Sequence, residues 1–152
     1  MEIVVREFAE ADRASLRALF VASRDAAFAW VPSGTHRAED FDVTTKGERI
    51  LVAVHQGDIV GFASIWEPDN FLHNLFVHPL FLRRGVGKIL LKRCDKYFSD
   101  APILKCIKAN ESAIQFYLSQ GWSVRHEADG PDGGYLLMAR ESIPAMPRTP
   151  SA

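Results

Sequence analysis

The chain has few cysteines, almost no net charge and no long apolar run. Its two cysteines, Cys94 and Cys106, lack the paired spacing of a zinc site and the even framework of a disulfide scaffold. They set the expectation of a reduced, cytoplasmic protein without a metal. Eighteen basic residues stand against 19 acidic ones, for a net charge of −1. That argues against a nucleic-acid partner and against a polybasic membrane anchor. No stretch approaches the roughly 18 apolar residues of a membrane span. The opening Met1-Glu2-Ile3-Val4-Val5-Arg6-Glu7 carries acid where a signal peptide would not. Also missing are the Gly-x-Ser-x-Gly elbow of a serine hydrolase and the His-Glu-x-x-His pattern of a zinc protease.

What is present is 152 residues, 47% hydrophobic and 24% charged, the composition of one folded domain. Folding such a chain hides on the order of 17,000 Å², enough for a core without staples. Residues 1–142 are read as that domain. The proline-rich stretch 143–152 is read as a disordered tail.

Periodicity predicts the elements. Ile3–Arg6 reads as a first strand. From Ala11 a helical period brings Leu16, Leu19, Phe20 and Ser23 onto one face, with Arg13, Arg17 and Arg24 elsewhere. Glu10 and Asp12 suit the positive end of that helix. Phe28 to Lys46 reads as a broken or short helix plus loop. Arg49–Val54 and Ile59–Trp66 flank Gln56-Gly57-Asp58 as a hairpin. Phe71–Val77 is a further strand, closed by Pro79, which has no ladder donor. Val86, Ile89, Leu90, Cys94, Tyr97 and Phe98 mark an amphipathic helix. Ile103–Ile107 reads as a short buried strand. Asn110 is a candidate N-cap for a helix that Gly121 stops, and Trp122–His126 with Tyr135–Arg140 forms a last hairpin. The order is that of a mixed α/β sheet.

The chemistry concentrates in Leu75-Phe76-Val77-His78-Pro79-Leu80-Phe81-Leu82-Arg83-Arg84-Gly85-Val86-Gly87-Lys88. A strand runs into a basic, glycine-containing loop that opens a helix. Free N–H groups and the positive helix end converge there, glycines admit close approach, and Arg83, Arg84 and Lys88 add charge. This is an anion cradle, but neither a P-loop nor a dinucleotide fingerprint, whose third glycine is replaced by Leu90. Further on comes Asn110-Glu111-Ser112-Ala113-Ile114-Gln115-Phe116-Tyr117-Leu118-Ser119-Gln120-Gly121-Trp122. By helical spacing alone, Tyr117 is equally a core-facing aromatic.

Together these two segments resemble the GCN5-related N-acetyltransferase superfamily. The matches are Val77-His78-Pro79 before Arg83-Arg84-Gly85-Val86-Gly87, then Asn110, Ala113, Tyr117, Gly121 and Trp122. The likeness extends over residues 3 to 140, and it departs at Leu82, where the family carries Gln or Arg. It implies a mostly antiparallel sheet with one splayed parallel pair, Leu75–Val77 on one lip and Lys105–Ile107 on the other. Acetyl-CoA would enter there as co-substrate, bound by Leu75, Phe76 and Val77. Arg83, Arg84, Gly85, Val86, Gly87 and Lys88 would hold its pyrophosphate, and Asn110, Ala113 and Tyr117 would line the arm. It implies direct attack by an amine on the thioester, with Tyr117 protonating the leaving sulfur.

The proton acceptor stays open among Glu67, Asp69, His73 and His78, with Glu67 and His73 carried as catalytic candidates. Lys105 is read as a strand-edge charge, or as a partner for a negative acceptor. Cys94 is read as core, and neither cysteine is paired with a base. Trp30, His36, Phe41 and the Trp66–Phe71 turn are expected to face the acceptor. A small amine is the leading acceptor. A protein N-terminus or lysine, a CoA-binding module without turnover, and a homodimer remain open.

Overall fold

The sheet grows outward from a tight hairpin. Gln56 and Gly57 both have positive φ, 49° and 84°, the backbone of a two-residue turn whose twist matches the flanking strands. The computed structural model describes residues 2–28, 32, 34–130 and 133–141. Trp30 and the proposed tail lie outside them. The strands are β1 (Val4–Glu7), β2 (Arg49–His55), β3 (Asp58–Trp66), β4 (Phe71–Val77), β5 (Ile103–Ile107), β6 (Ser123–Ala128) and β7 (Tyr135–Ala139). The helices are α1 (Arg13–Ala27), α2 (Asp40–Thr44), α3 (Val86–Cys94) and α4 (Glu111–Ser119). The sheet runs β1-β2-β3-β4-β5-β7-β6. Its neighbours are antiparallel except β4 and β5, which are parallel.

Strand alternation sends side chains to two cores. On one face Ala63, Ile65, Leu72, Leu104 and Cys106 pack against Val86, Leu90, Cys94 and Tyr117 of α3 and α4. On the other, Ile50, Val52 and Phe62 pack against Leu16, Leu19, Phe20 and Phe41 of α1 and α2. Each such fully buried side chain contributes about 1.5–3 kcal/mol relative to exposure. Gly61 lets α3 lie close: a Cβ there would stand 3.0 Å from both Leu90 Cδ1 and the Phe76 carbonyl oxygen. Among the described residues no helix is long and apolar enough to cross a membrane.

Several expectations change, and one is extended. The Asp12 carboxylate stands at the start of α1, as expected, and has further partners there. It accepts from Arg6 at 2.8 and 2.9 Å and from the Ala9 amide at 2.8 Å, closing the chain's entry into α1. Arg24 does not lie apart from the apolar residues. Its guanidinium lies 5.3, 5.1 and 6.0 Å from the ring centroids of Phe20, Phe28 and Phe76, and burial lowers its pKa from the ordinary arginine value. The third long helix ends at Cys94 and tightens to a 3-10 turn over Asp95–Tyr97, a change that apolar spacings of three and four do not distinguish. Lys105 is not at the outer edge of the sheet but at the inner edge that opens where β5, paired with β7 along its length, parts from β4 after Leu104.

Candidate functional site

β4 and β5 pair only at Phe71–Ile103 and Leu72–Leu104. Beyond that point they part, although β4 continues to Val77 and β5 to Ile107. The parting coincides with a bulge. Ser64 on β3 pairs with Asn74 and Ile65 with Leu72, leaving His73 as an extra residue, the device that bends a strand.

Antiparallel pairing fixes where the free backbone groups point, since alternate residues turn to opposite neighbours. The His78 amide donates to the Val60 carbonyl at 2.8 Å, so His78 and Phe76 face β3 while Leu75 and Val77 face the gap. The Lys108 amide donates to the Gly134 carbonyl at 3.1 Å, so Cys106 faces β7 while Lys105 and Ile107 face the gap. The result is a slot lined on both lips by main-chain groups. Sequence alone puts Phe76 on its lip. Instead its backbone serves β3, and its ring stands 5.7 Å from those of Phe20 and Phe62. The Val77 carbonyl also accepts a bond from Ser23 Oγ at 3.2 Å, which ties α1 to this lip.

At the end of β4, Pro79–Phe81 makes a 3-10 turn, with the Leu80 amide donating to His78 Nδ1 at 3.1 Å. Arg83 and Gly85 then take left-handed backbone, φ 61° and 84°, of the kind that gathers successive N–H groups into an anion nest. The bond from the Ile89 amide to the Gly85 carbonyl, 3.1 Å, opens α3. The amides of Val86, Gly87 and Lys88 precede it and belong to the turn that lacks intrahelical acceptors. A Cβ on Gly87 would meet Phe116 at 3.4 Å and Val77 at 3.7 Å, so this turn sits where α4 and β4 meet the slot. Arg83 and Lys88 are exposed. Arg84 lies 5.3 Å over the Phe81 ring.

On the α3–α4 face, Asn110 Oδ1 accepts from the Ala113 amide at 3.2 Å and starts α4. The Tyr117 carbonyl accepts from the Gln120 and Trp122 amides at 3.0 and 3.1 Å across Gly121 (φ 90°). The Tyr117 ring is held between Phe116 and Trp122, centroids at 5.3 and 5.9 Å. Burial first, then the neighbouring Cys106 and Cys94, push its phenol well above the ordinary tyrosine value. It therefore keeps its proton at neutral pH. Burial likewise pushes the Cys106 thiol up to about 11 and the Cys94 thiol to about 12, so neither is a thiolate nucleophile.

The candidate bases do not share a face: Arg49, the partner of Glu67, lies 4.3 Å over the Tyr97 ring on the α3–α4 side, whereas His73 stands beside Glu48 and Phe71. Glu67 accepts from Arg49 Nε at 3.0 Å, and Arg49 also pairs with Glu7. Asp69 lies in the exposed turn before β4. His73, with its side chain 37% exposed, has its Nδ1 2.7 Å from Glu48 Oε2. Glu48 is absent from the sequence-based candidates. It stands 25 residues before His73, and one acid ahead of a strand carries no distinguishing signal. Among the described residues no three His, Cys, Asp or Glu side chains gather to hold a metal ion.

Residues 12–122 match the acetyltransferase (GNAT) family. A curated relative, the peptidyl-lysine N-acetyltransferase YiaC of Escherichia coli (strain K12), is 37% identical over 68 residues. That alignment spans 45% of this chain and 45% of YiaC, so the chain matches less than half of that protein. A GCN5-related N-acetyltransferase of Rhodopseudomonas palustris superposes with a TM-score of 0.78 at 25% identity, covering 93% of this chain and 96% of that one. The PaiA N-acetyltransferase of Thermoplasma acidophilum, solved in complex with coenzyme A, gives 0.75 at 20% identity over 93% and 99%.

Proposed function

The chain belongs to the acetyltransferase (GNAT) family, and from that premise we propose that it moves an acetyl group from acetyl-CoA directly to a primary amine held in the same complex. The observation that carries this reading is the slot itself, with main-chain groups of Leu75, Val77, Lys105 and Ile107 turned into it and no strand between them. The Val77 and Ile107 carbonyls already accept from Ser23 Oγ and the Asn110 amide, and the groups between the lips that lack a strand partner are costly to leave so. The amides of a pantetheine arm fit them as a short strand would.

The first-turn amides of α3, the left-handed nest at Arg83 and Gly85, and the exposed Arg83 and Lys88 suit the pyrophosphate. Acetyl-CoA, when bound, supplies an activated acyl thioester. Tyr117, buried and protonated beside Cys106, donates to the departing sulfur. Transfer is direct, because the two thiols near the slot hold their protons too firmly to carry the acetyl group.

A small alkyl amine is the acceptor this reading favours, with the half-buried Phe71 ring 5.5 Å from His73 beside the parting point. The relative named a peptidyl-lysine N-acetyltransferase favours a second acceptor, the lysine ε-amine of a peptide, which is the same nucleophile on a longer carrier. Thiol release from acetyl-CoA across small amines and a lysine peptide tests both. Acetylated amine with intersecting initial-velocity lines is expected. A higher kcat/KM for the peptide would favour the second acceptor. Parallel lines would sink direct transfer. Acetyl-CoA binding with no acetylated product would reduce the protein to a binding module.

A further inference from the structure

We propose that Glu48 and His73 form a proton-accepting pair at the parting point of β4 and β5, and that His73 Nε2 takes the proton from the incoming ammonium. The proposal rests on the acetyl-transfer reading and assigns a base to it.

Position is the first argument. Leu72 and Leu104 form the last pair before the slot and both point into the α3–α4 core. The next residues, His73 and Lys105, begin the two lips; alternation turns Lys105 to the opposite face, and His73, the extra residue of the bulge, is placed there by its contacts with Glu48 and Phe71. That face is open, since both side chains are exposed. An amine arriving there meets the slot from the side away from Tyr117, so proton removal and proton donation are separated by the sheet.

The second argument is the tautomer. The Glu48 side chain is only 6% exposed and its Oε2 stands 2.7 Å from His73 Nδ1. A carboxylate can only accept, so the imidazole proton sits on Nδ1 and the lone pair on Nε2. Glu48 Oε1 is buried and has no hydrogen-bond partner. A buried carboxylate with one oxygen unsatisfied gains most from a positive partner, and an imidazolium at His73 is that partner. Glu48 thus acts as a positioning residue, in the manner of the acid behind a histidine base.

The surrounding charges agree with the role. Glu67 and Arg49 are paired with one another at 3.0 Å, which leaves Glu67 held by a cation, and among the described residues the polar contact of His73 is through Nδ1. Lys105 begins the other lip on the same face. Its positive charge favours an incoming nitrogen that has lost its own.

The ammonium nitrogen loses two protons in all. One passes to His73 Nε2 before attack and from there to water. The carbon–nitrogen bond then forms as the carbon–sulfur bond breaks, the sulfur takes the Tyr117 proton, the second nitrogen proton leaves through His73 Nε2, and the phenol regains a proton from water once the products depart.

The test compares the full-length protein with His73→Gln and Glu48→Gln, using the best small amine of the panel. In the wild type kcat/KM should rise with pH through one ionisation. His73→Gln should lose that limb and fall by about 10²-fold or more, with the KM for acetyl-CoA unchanged. Glu48→Gln should keep the limb at a shifted midpoint and fall by about tenfold. Nitrogen-15 NMR of the histidine rings, which needs no turnover, should find His73 protonated on Nδ1 in the wild type. The opposite tautomer, or a limb that survives in His73→Gln with wild-type turnover intact, overturns the pair alone. A wild type that binds acetyl-CoA and acetylates no amine overturns the acetyl-transfer reading instead, and the pair with it.

Discussion

At the point where β4 and β5 part, the two faces of the sheet are opposite environments built from the same two strands. Beneath it, on the α3–α4 side, Leu72, Leu104, Cys106 and Tyr117 belong to one buried core. Its titratable groups are pushed toward their neutral forms by lost hydration. Above it, His73 and Lys105 are exposed, and the buried side chain of Glu48 is held against His73. One residue of strand separates a proton held tightly from a lone pair open to water. On the proposed reading, environment divides the roles of donor and acceptor that amide formation requires.

The largest break in this contrast comes from the dry side. Tyr117→Phe keeps the ring between Phe116 and Trp122 and removes only the hydroxyl, so the fold and the slot should persist. We expect kcat to fall by about 10²-fold with acetyl-CoA affinity nearly intact. Steady-state kinetics with calorimetric titration of acetyl-CoA measure both. The ascending pH limb assigned to the wet face should survive in the residual rate. An unchanged kcat would return Tyr117 to a packing role.

A smaller effect is expected where the dry face meets the cradle. Gly87 has room for a Cβ at ordinary contact with Phe116 and Val77, but the added methyls of Gly87→Val occupy the approach to the α3 amides. Acetyl-CoA should bind about tenfold more weakly, roughly 1.4 kcal/mol, while kcat at saturation changes little. Equal affinity by calorimetry would mean that the diphosphate is held elsewhere.

Much of this geometry is legible in the sequence, and what is not has a physical cause. The strands and helices declare themselves because alternation and the 3.6-residue period act locally. Pro79, Gly85 and Asn110 mark the end of β4, the opening of α3 and the start of α4 because each solves a backbone problem at its own position. Phe76 is harder, because its place among Leu75 and Val77 conceals that alternate residues serve opposite neighbours. Arg24 reads as lying apart from the apolar residues until three phenyl rings from α1 and β4 assemble around it. Glu48 is invisible in principle: its partner lies 25 residues away and is aimed by a bulge that only pairing with β3 creates.

The smallest effect is the sharpest check that the lower face is dry. Cys106 turns its backbone to β7 and its side chain into the core, 6% exposed as a residue, with its thiol pushed up to about 11 by burial. At pH 8 a group of that pKa is thiolate in roughly one molecule per thousand, against about a quarter for an unperturbed cysteine. Alkylation by iodoacetamide should therefore be slower than in the urea-unfolded chain by about 10²-fold or more, and it should quicken as pH rises toward 11. Cys106→Ala should change kcat by less than about twofold, since in the proposed direct transfer the acetyl group does not pass through sulfur on the protein. A cysteine that alkylates at the unfolded rate would mean that water reaches this face, and the contrast between the two sides of the slot would be lost. A large drop in kcat for a folded Cys106→Ala protein would go further and reopen covalent transfer.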